Sequence, residues 1–405
     1  MKKRIVVTGI GVVSSIGIGK EQFWKALLEG TSGITTISSF DTTLFPTHRG
    51  GEVKNFHPED FFEKCANRPI IGKASYFAAA SARLALLDAG VDLATNNPRA
   101  VGIVVGTTMG ETQIVQELNE QMVRKGIHAL DPRLVQACPT QRIANNVAAL
   151  CGITGNAYVI PTACAAGNYA IGYAYDCLQR EEAMMMLAGG ADAFSRIAFT
   201  GFNRLFAVAP ERCQPFDRNR KGMMVGEGSG MVVLETLEHA RKRNAPIYAE
   251  ILGYGLSCDA FHMTAPEPQG VARGIASALE ASCVSKDEVD YINAHGTGTP
   301  TNDKVESEAI HLVFKERASQ IPVSSIKSML GHTMGAASAI EAIACCLSVL
   351  HDVIPPTINF ETPDPACPVD CVPNVARSQR VDIALNNASA FGGNNACLVL
   401  KKFLS

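Results

Sequence analysis

Charge is scarce in this chain. Asp, Glu, Lys and Arg make up 19% of its 405 residues, hydrophobic residues make up 47%, and the net charge is −3. That balance excludes a disordered, self-repelling chain and offers no basic face to nucleic acid or an anionic membrane. CxxC pairs are also lacking, although there are 13 Cys. An odd count in a long chain argues against a disulfide scaffold, and no short ligand pair stands at zinc-finger spacing. The thiols read as reduced, mostly buried side chains of a cytoplasmic protein. No low-complexity segment is present, and no apolar stretch reads as a membrane span. The start, Met1 to Val7, is charged and then apolar, but Thr8, Gly9 and Gly11 interrupt it, so it reads as a first strand and not as a leader. The expectation is a soluble protein of one large or two medium domains.

What is there is alternation. Short apolar runs at residues 5–7, 101–105, 158–160, 184–187 and 231–234 read as strands. Near Pro246 the pattern starts over, with further strands at 248–253, 289–293, 323–326, 381–385 and 396–400. Helical spacing marks 20–29, 70–89, the stretch from Cys164 to Leu178, then 271–282, 303–314 and 336–350. The alternation predicts an α/β fold. The restart predicts two similar halves, residues 1–245 and 246–405.

Among the cysteines, Cys164 stands apart. It follows an apolar strand after Pro161-Thr162-Ala163 and precedes Ala165-Ala166-Gly167-Asn168, which opens a helix. A thiol at a helix N-terminus meets the positive end of the dipole and free N–H groups, which favour thiolate and can hold an oxyanion. Taken blindly, any one of thirteen Cys is a structural side chain; the strand–Cys–helix setting is what singles this one out. His295, in Asn293-Ala294-His295-Gly296-Thr297-Gly298, follows a strand. His332, in Leu330-Gly331-His332-Thr333, precedes an Ala-rich helix. Strand ends with Gly-rich turns gather catalytic groups in α/β folds, and imidazole suits proton work near neutral pH.

Of three Gly-rich segments, two read as scaffold. Gly9 to Ser14 nearly spells a dinucleotide fingerprint but lacks the third Gly, so it reads as a tight turn. Gly226-Glu227-Gly228-Ser229-Gly230 reads as a loop with no phosphate-binding Lys. Gly392-Gly393-Asn394-Asn395 suits either a hairpin turn or a mobile active-site loop.

Together these segments resemble the β-ketoacyl synthases of the thiolase superfamily, most closely the KAS II type and its polyketide relatives. The resemblance runs nearly end to end. It rests on the ordered set Thr162-Ala163-Cys164, His295-Gly296-Thr297-Gly298-Thr299, Lys327 with Gly331-His332, and Phe391-Gly392-Gly393. It implies a five-layered αβαβα thiolase fold with two pseudo-equivalent halves and a large dimer interface. Cys164 would take an acyl group from an acyl carrier protein, and His295 and His332 would promote decarboxylation of malonyl carrier protein and hold the enolate. Lys327 would orient the pair, with Glu306 in a network beside it and Asp303 in support. Backbone N–H groups of Cys164 and Phe391 would form the oxyanion hole, with Phe391 and Gly392 as a gate. Lys64, Arg68 and Arg204 would meet the acidic carrier. No cofactor or metal is implied beyond the carrier's phosphopantetheine.

Departures refine the resemblance. Housekeeping fatty-acid enzymes usually carry Thr where Ala166 stands, and Gly-Phe-Gly-Gly-Thr where Ala390-Phe391-Gly392-Gly393-Asn394 stands. Ala390 beside the gate raises the question of whether this loop swings as it does there. The stretches from Gly298 to Asp303, Pro215 to Asp217 and Gly226 to Gly228 look more like polyketide ketosynthases. The reading is therefore the catalytic α subunit of a type II polyketide (or polyene) system. It would pair as a homodimer, or as a heterodimer with a chain-length factor of the same fold. A fatty-acid KAS II homodimer is the alternative. A thiolase acting on coenzyme A esters, a non-catalytic chain-length factor and a pure scaffold fit less well. Pocket depth is expected to depend on residues 106–110 and 130–137.

Overall fold

The computed structural model describes residues 2–63, 70–93 and 97–404. Ten strands carry the architecture, in two sets of five. The first set is β1 (Ile5–Ser14), β2 (Val101–Gly106), β3 (Ala157–Ile160), β4 (Met185–Asp192) and β5 (Gly228–Thr236). The second is β6 (Ala249–Cys258), β7 (Tyr291–Asn293), β8 (Val323–Ser324), β9 (Ile383–Ser389) and β10 (Asn394–Lys401). The first runs β3-β2-β4-β5-β1 across the sheet and the second β8-β7-β9-β10-β6. In both, the first three strands of that order are parallel and the remaining pairings antiparallel. The sets join where Ile5, Val6 and Val7 pair antiparallel with Ile251, Glu250 and Ala249.

Helices complete the layers. α1 (Lys73–Asp88) and α2 (Arg142–Cys151) cover the outer face of the first set. α3 (Ala166–Gln179) lies between the two sets. α4 (Pro268–Ser282) and α5 (Pro300–Phe314) cover the outer face of the second set, and α6 (Ala337–His351) lies beside α3 in the middle. The result is the expected thiolase-like αβαβα arrangement. A helix packed on every side must be apolar all round, and α6 is buried from Ala337 through Val349. The stretch Met334–His351 is in fact long and apolar enough to cross a membrane, contrary to the reading from sequence, but most of it is buried inside the protein.

Two glycine readings change. β1 does not end in a turn at Gly9; it continues to Ser14 with a slip in register between Val7 and Gly9. The space a Cβ would need at Gly9 and Gly11 is taken by the carbonyl oxygens of Ala85 and Ser81 on α1. Glycine here marks close helix-on-strand contact, not a break. Gly228 to Gly230 likewise open β5 instead of forming a loop, and β4 runs past the apolar stretch at 184–187 to Asp192.

Candidate active site

The chain leaves β3 at Ile160, passes through a tight turn, Ala163–Ala165, and enters α3, which places Cys164 at the helix N-terminus. Ala163 takes a left-handed backbone, φ 50°, a conformation tolerated in a non-glycine residue only where the surroundings over-determine it. His295 sits just past the end of β7. His332 follows the short helix Lys327–Leu330, with its N–H donated to Met224 O (2.6 Å) and its carbonyl accepting from Gly226 N–H (2.9 Å). The two imidazoles stand edge to face, centroids 5.3 Å apart and planes 83° apart.

Cys164, His295 and His332 line one pocket of about 570 Å³, open mouth included. Thr297, Thr299, the strap from His262 to Pro266 and the turn at Ala390, Phe391 and Gly393 complete its wall. That turn joins β9 to β10 by Ala390 N–H to Asn394 O (2.9 Å) and Gly393 N–H to Ala390 O (3.0 Å), and it rests on the strap through Gly392 N–H to Met263 O (2.8 Å). Positive φ falls on Gly392 (87°) and Gly393 (79°) and not on Ala390, so Ala390 costs nothing in this conformation. None of residues 106–110 or 130–137 lines the pocket.

Burial dominates the electrostatics. It pushes the Cys164 thiol up to about 12, against the pull of the Lys327 charge, while Asp192 adds to the rise and the backbone N–H groups of Phe391 and Cys164 oppose it. The helix-end expectation of a thiolate therefore gives way to a thiol in the resting site. Burial first, and the Lys327 charge second, hold both His295 and His332 well below 6.5, so both are neutral at pH 7. His332 Nδ1 accepts the Met334 N–H (3.2 Å), which leaves its proton on Nε2. Among the described residues, His295 Nδ1 is buried with no hydrogen-bond partner.

Lys327 and Glu306 do not form the network the resemblance implied. Lys327 Nζ pairs with Glu341, a buried carboxylate on α6. Glu306 instead accepts the N–H groups of His295 and Gly296 and the Asn387 amide, each at 2.7 Å. Burial lifts its carboxyl to about 7 against those bonds. Asp303 binds the loops beneath, accepting from Phe216 N–H (2.8 Å) and Gly298 N–H (3.1 Å).

Two residues escaped the sequence reading. Glu341 had one signal, a lone carboxylate in an Ala-rich apolar helix. Asp192, at the end of β4, accepts from Thr107 Oγ1, Thr108 N–H, Met109 N–H and Gly335 N–H at 2.7–2.9 Å. Burial raises it to about 6 despite these four donors.

The chain matches the family model described as beta-ketoacyl synthase, N-terminal domain, over residues 2–240, and the corresponding C-terminal domain over residues 248–361. The chain belongs to the β-ketoacyl synthase family. Among curated relatives, 3-oxoacyl-[acyl-carrier-protein] synthase 2 of Synechocystis sp. is 38% identical over 411 residues, covering 99% of both chains. The Staphylococcus aureus protein of the same name is 38% identical over 409 residues with the same coverage. Among solved structures, the ishigamide ketosynthase/chain length factor is 45% identical with a TM-score of 0.96, covering 100% of both chains. A type II PKS ketosynthase, solved in complex with its acyl-carrier protein and bound to the hexaketide, is 32% identical with a TM-score of 0.92 and the same coverage.

Of this β-ketoacyl synthase's expected docking residues, Lys64 and Arg68 lie outside the described residues. Arg204 is exposed at the end of the helix Arg196–Arg204 and stands apart from the pocket, although Phe202 on the same helix lines it.

Proposed function

We propose that this enzyme is an acyltransferase, a β-ketoacyl-[acyl-carrier-protein] synthase that joins malonyl carrier protein to an acyl group held on Cys164 by decarboxylative Claisen condensation. The observation that carries the reading is a helix-end thiol sharing one pocket with two neutral imidazoles, 5.3 Å apart, beside a buried lysine. In the first half-reaction, Cys164 Sγ attacks the acyl thioester carbonyl, and its proton passes by way of an imidazole to the departing carrier thiol. The backbone N–H groups of Cys164 and Phe391, both turned towards Sγ, hold the oxyanion. In the second, the malonyl thioester loses CO2. Neutral Nε2–H of His332, with His295, holds the enolate oxygen while the enolate carbon attacks the acyl carbonyl and releases Cys164. Lys327 acts at a distance: its charge, tied to Glu341, adds to the burial that keeps both imidazoles unprotonated.

Residues 1–245 supply the nucleophile and residues 246–405 the two His and the gate. Thr297 and Thr299 line the pocket that takes the carrier's arm, and Arg204, Lys64 and Arg68 are assigned to the carrier's acidic face. Charge reversal at Arg68 and Arg204 raises KM for carrier-bound substrates and spares small thioesters; an unchanged KM removes that assignment. The enzyme acts in the cytoplasm as the catalytic subunit of a type II polyketide (or polyene) system, paired with a chain-length-factor partner. The full-length likeness to a ketosynthase/chain length factor at 45% identity supports this. The likeness to 3-oxoacyl-[acyl-carrier-protein] synthase 2 supports the second reading, a fatty-acid-elongating homodimer.

Product mass on the carrier protein decides between them. Repeated extension, seen only with a same-fold partner present, supports the polyketide reading; a single two-carbon extension by this chain alone supports the homodimer. Cys164→Ala abolishes acylation in either case, and a labelled acyl group still bound covalently to that variant overturns both.

A further inference from the structure

Glu227 is the one charged residue of the glycine-rich stretch from Gly226 to Gly230, and it is fully buried. Its Oε1 accepts the Val53 N–H (2.9 Å) and pairs with Lys73 Nζ (2.7 Å), at the start of α1; its Oε2 accepts the Phe194 N–H (2.7 Å). Burial pushes its carboxyl up while Lys73 pulls it back. The backbone on either side forms a seam. Glu227 N–H donates to Gly51 O (3.0 Å), Gly51 N–H to Val225 O (2.8 Å), Gly226 N–H to His332 O (2.9 Å) and His332 N–H to Met224 O (2.6 Å). His332 is thus held on one edge of residues 224–227 and Gly51 on the other.

An ion pair between a buried carboxylate and a partly exposed lysine is a poor device for stability alone. This one gathers three separate segments around a single carboxylate. Phe194 lies two residues beyond Asp192, the carboxylate that takes the Gly335 N–H. The turn carrying His332 therefore hangs between two buried carboxylates: Glu227 on the side of its backbone seam, and Asp192 on the side of Gly335.

We propose that Glu227 is a positioning residue for His332. Through Met224 and Gly226 it sets where the imidazole meets the malonyl thioester, and it does not touch substrate. The inference rests on the assignment of His332 to decarboxylation made above. A displacement of about 1 Å in a positioned group costs about 10²-fold in rate, so the carboxylate's effect belongs to that half-reaction.

The test compares Glu227→Gln, His332→Ala and the double variant in the intact enzyme with its partner. CO2 release from malonyl carrier protein is measured beside Cys164 acylation, followed by intact mass. Glu227→Gln slows CO2 release about 10²-fold and leaves acylation unchanged, and the double variant is no slower than His332→Ala. Equal losses in both half-reactions, or losses that multiply in the double variant while His332→Ala remains slow, overturn the role of Glu227 alone. A wild-type rate of CO2 release from His332→Ala overturns the assignment of His332, and the role of Glu227 with it. Should Glu227→Gln fail to fold, Lys73→Met takes the cation from the same carboxylate, with the same split expected and the same outcomes decisive.

Discussion

In the first half, β3 passes through the turn Ala163–Ala165 into α3; in the second, β8 leads by way of Lys327–Leu330 and the turn Met334–Ala336 into α6. Each turn opens on a non-glycine residue with left-handed backbone, Ala163 at φ 50° and Met334 at φ 55°. The next residue differs. It is Cys164 in the first half, facing the pocket. It is Gly335 in the second, where a Cβ would lie 2.5 Å from Thr108 N. The strand ends are exchanged as well: Asp192, closing β4, holds the second half's turn, while Ser389, closing β9, lines the pocket beside Cys164. Strain at the turn belongs to the scaffold in both halves. Reactivity depends on whether the following residue has room for a side chain and a substrate.

Breaking the second half's own charge has the largest effect. Lys327→Met leaves Glu341 buried without its partner, at a cost of about 3–5 kcal/mol in stability, read by urea denaturation. It also removes the charge that adds to burial in holding His295 and His332 low. Both histidines resist protonation in the native state while an unfolded chain takes up protons below 6.5, so native stability falls as pH drops below that value. In the variant the imidazoles rise towards their ordinary range, and the acid-side loss of CO2 release begins at a higher pH than in the wild type. An acid limb that does not move removes Lys327 from the control of the pair.

Gly335→Ala probes the silent turn. The added methyl meets the Thr107–Thr108 backbone, costing about 1–3 kcal/mol and disturbing the Gly335 N–H bond to Asp192. Slowed CO2 release should accompany the lost stability; an unaffected enzyme would mean that the second turn is not tightly held. The smallest effect falls on the reactive turn. Ala163→Gly relieves the left-handed backbone and shifts stability by about 1 kcal/mol or less, a gain in denaturation midpoint if strain outweighs the added chain entropy. A large loss instead would show that the Ala163 methyl packs more than it strains.

Much of the scaffold was legible in sequence because strands buried between helices read as apolar runs, and those runs recur in the same order after Pro246. Cys164 and His295 were legible because each stands where a strand meets a turn, and His332 because its Gly-His step opens an Ala-rich helix. The failures share one cause. Gly9, Gly11 and Gly228 were read as breaks, since local sequence cannot say that another backbone lies against the strand. Glu227 went unremarked inside that same reading. Glu341 and the true partners of Glu306 depend on contacts between α6, the segment starting at Lys327 and β9, which no spacing along the chain encodes. The thiolate expected at Cys164 considered the helix end and not the depth of burial.

The join between the two sheets also shapes how the protein comes into being. Ile5 pairs with Thr236 and with Ile251, so β1 waits on the ribosome for neighbours made more than 200 residues later. β10 fills the slot between β6 and β9 only after residue 401 has been added. Contacts this distant in sequence slow folding and leave edges open to wrong partners meanwhile. Synthesis interrupted just before β10 therefore yields no enzyme of partial activity, but a chain with two unpaired strand edges and a strong tendency to aggregate.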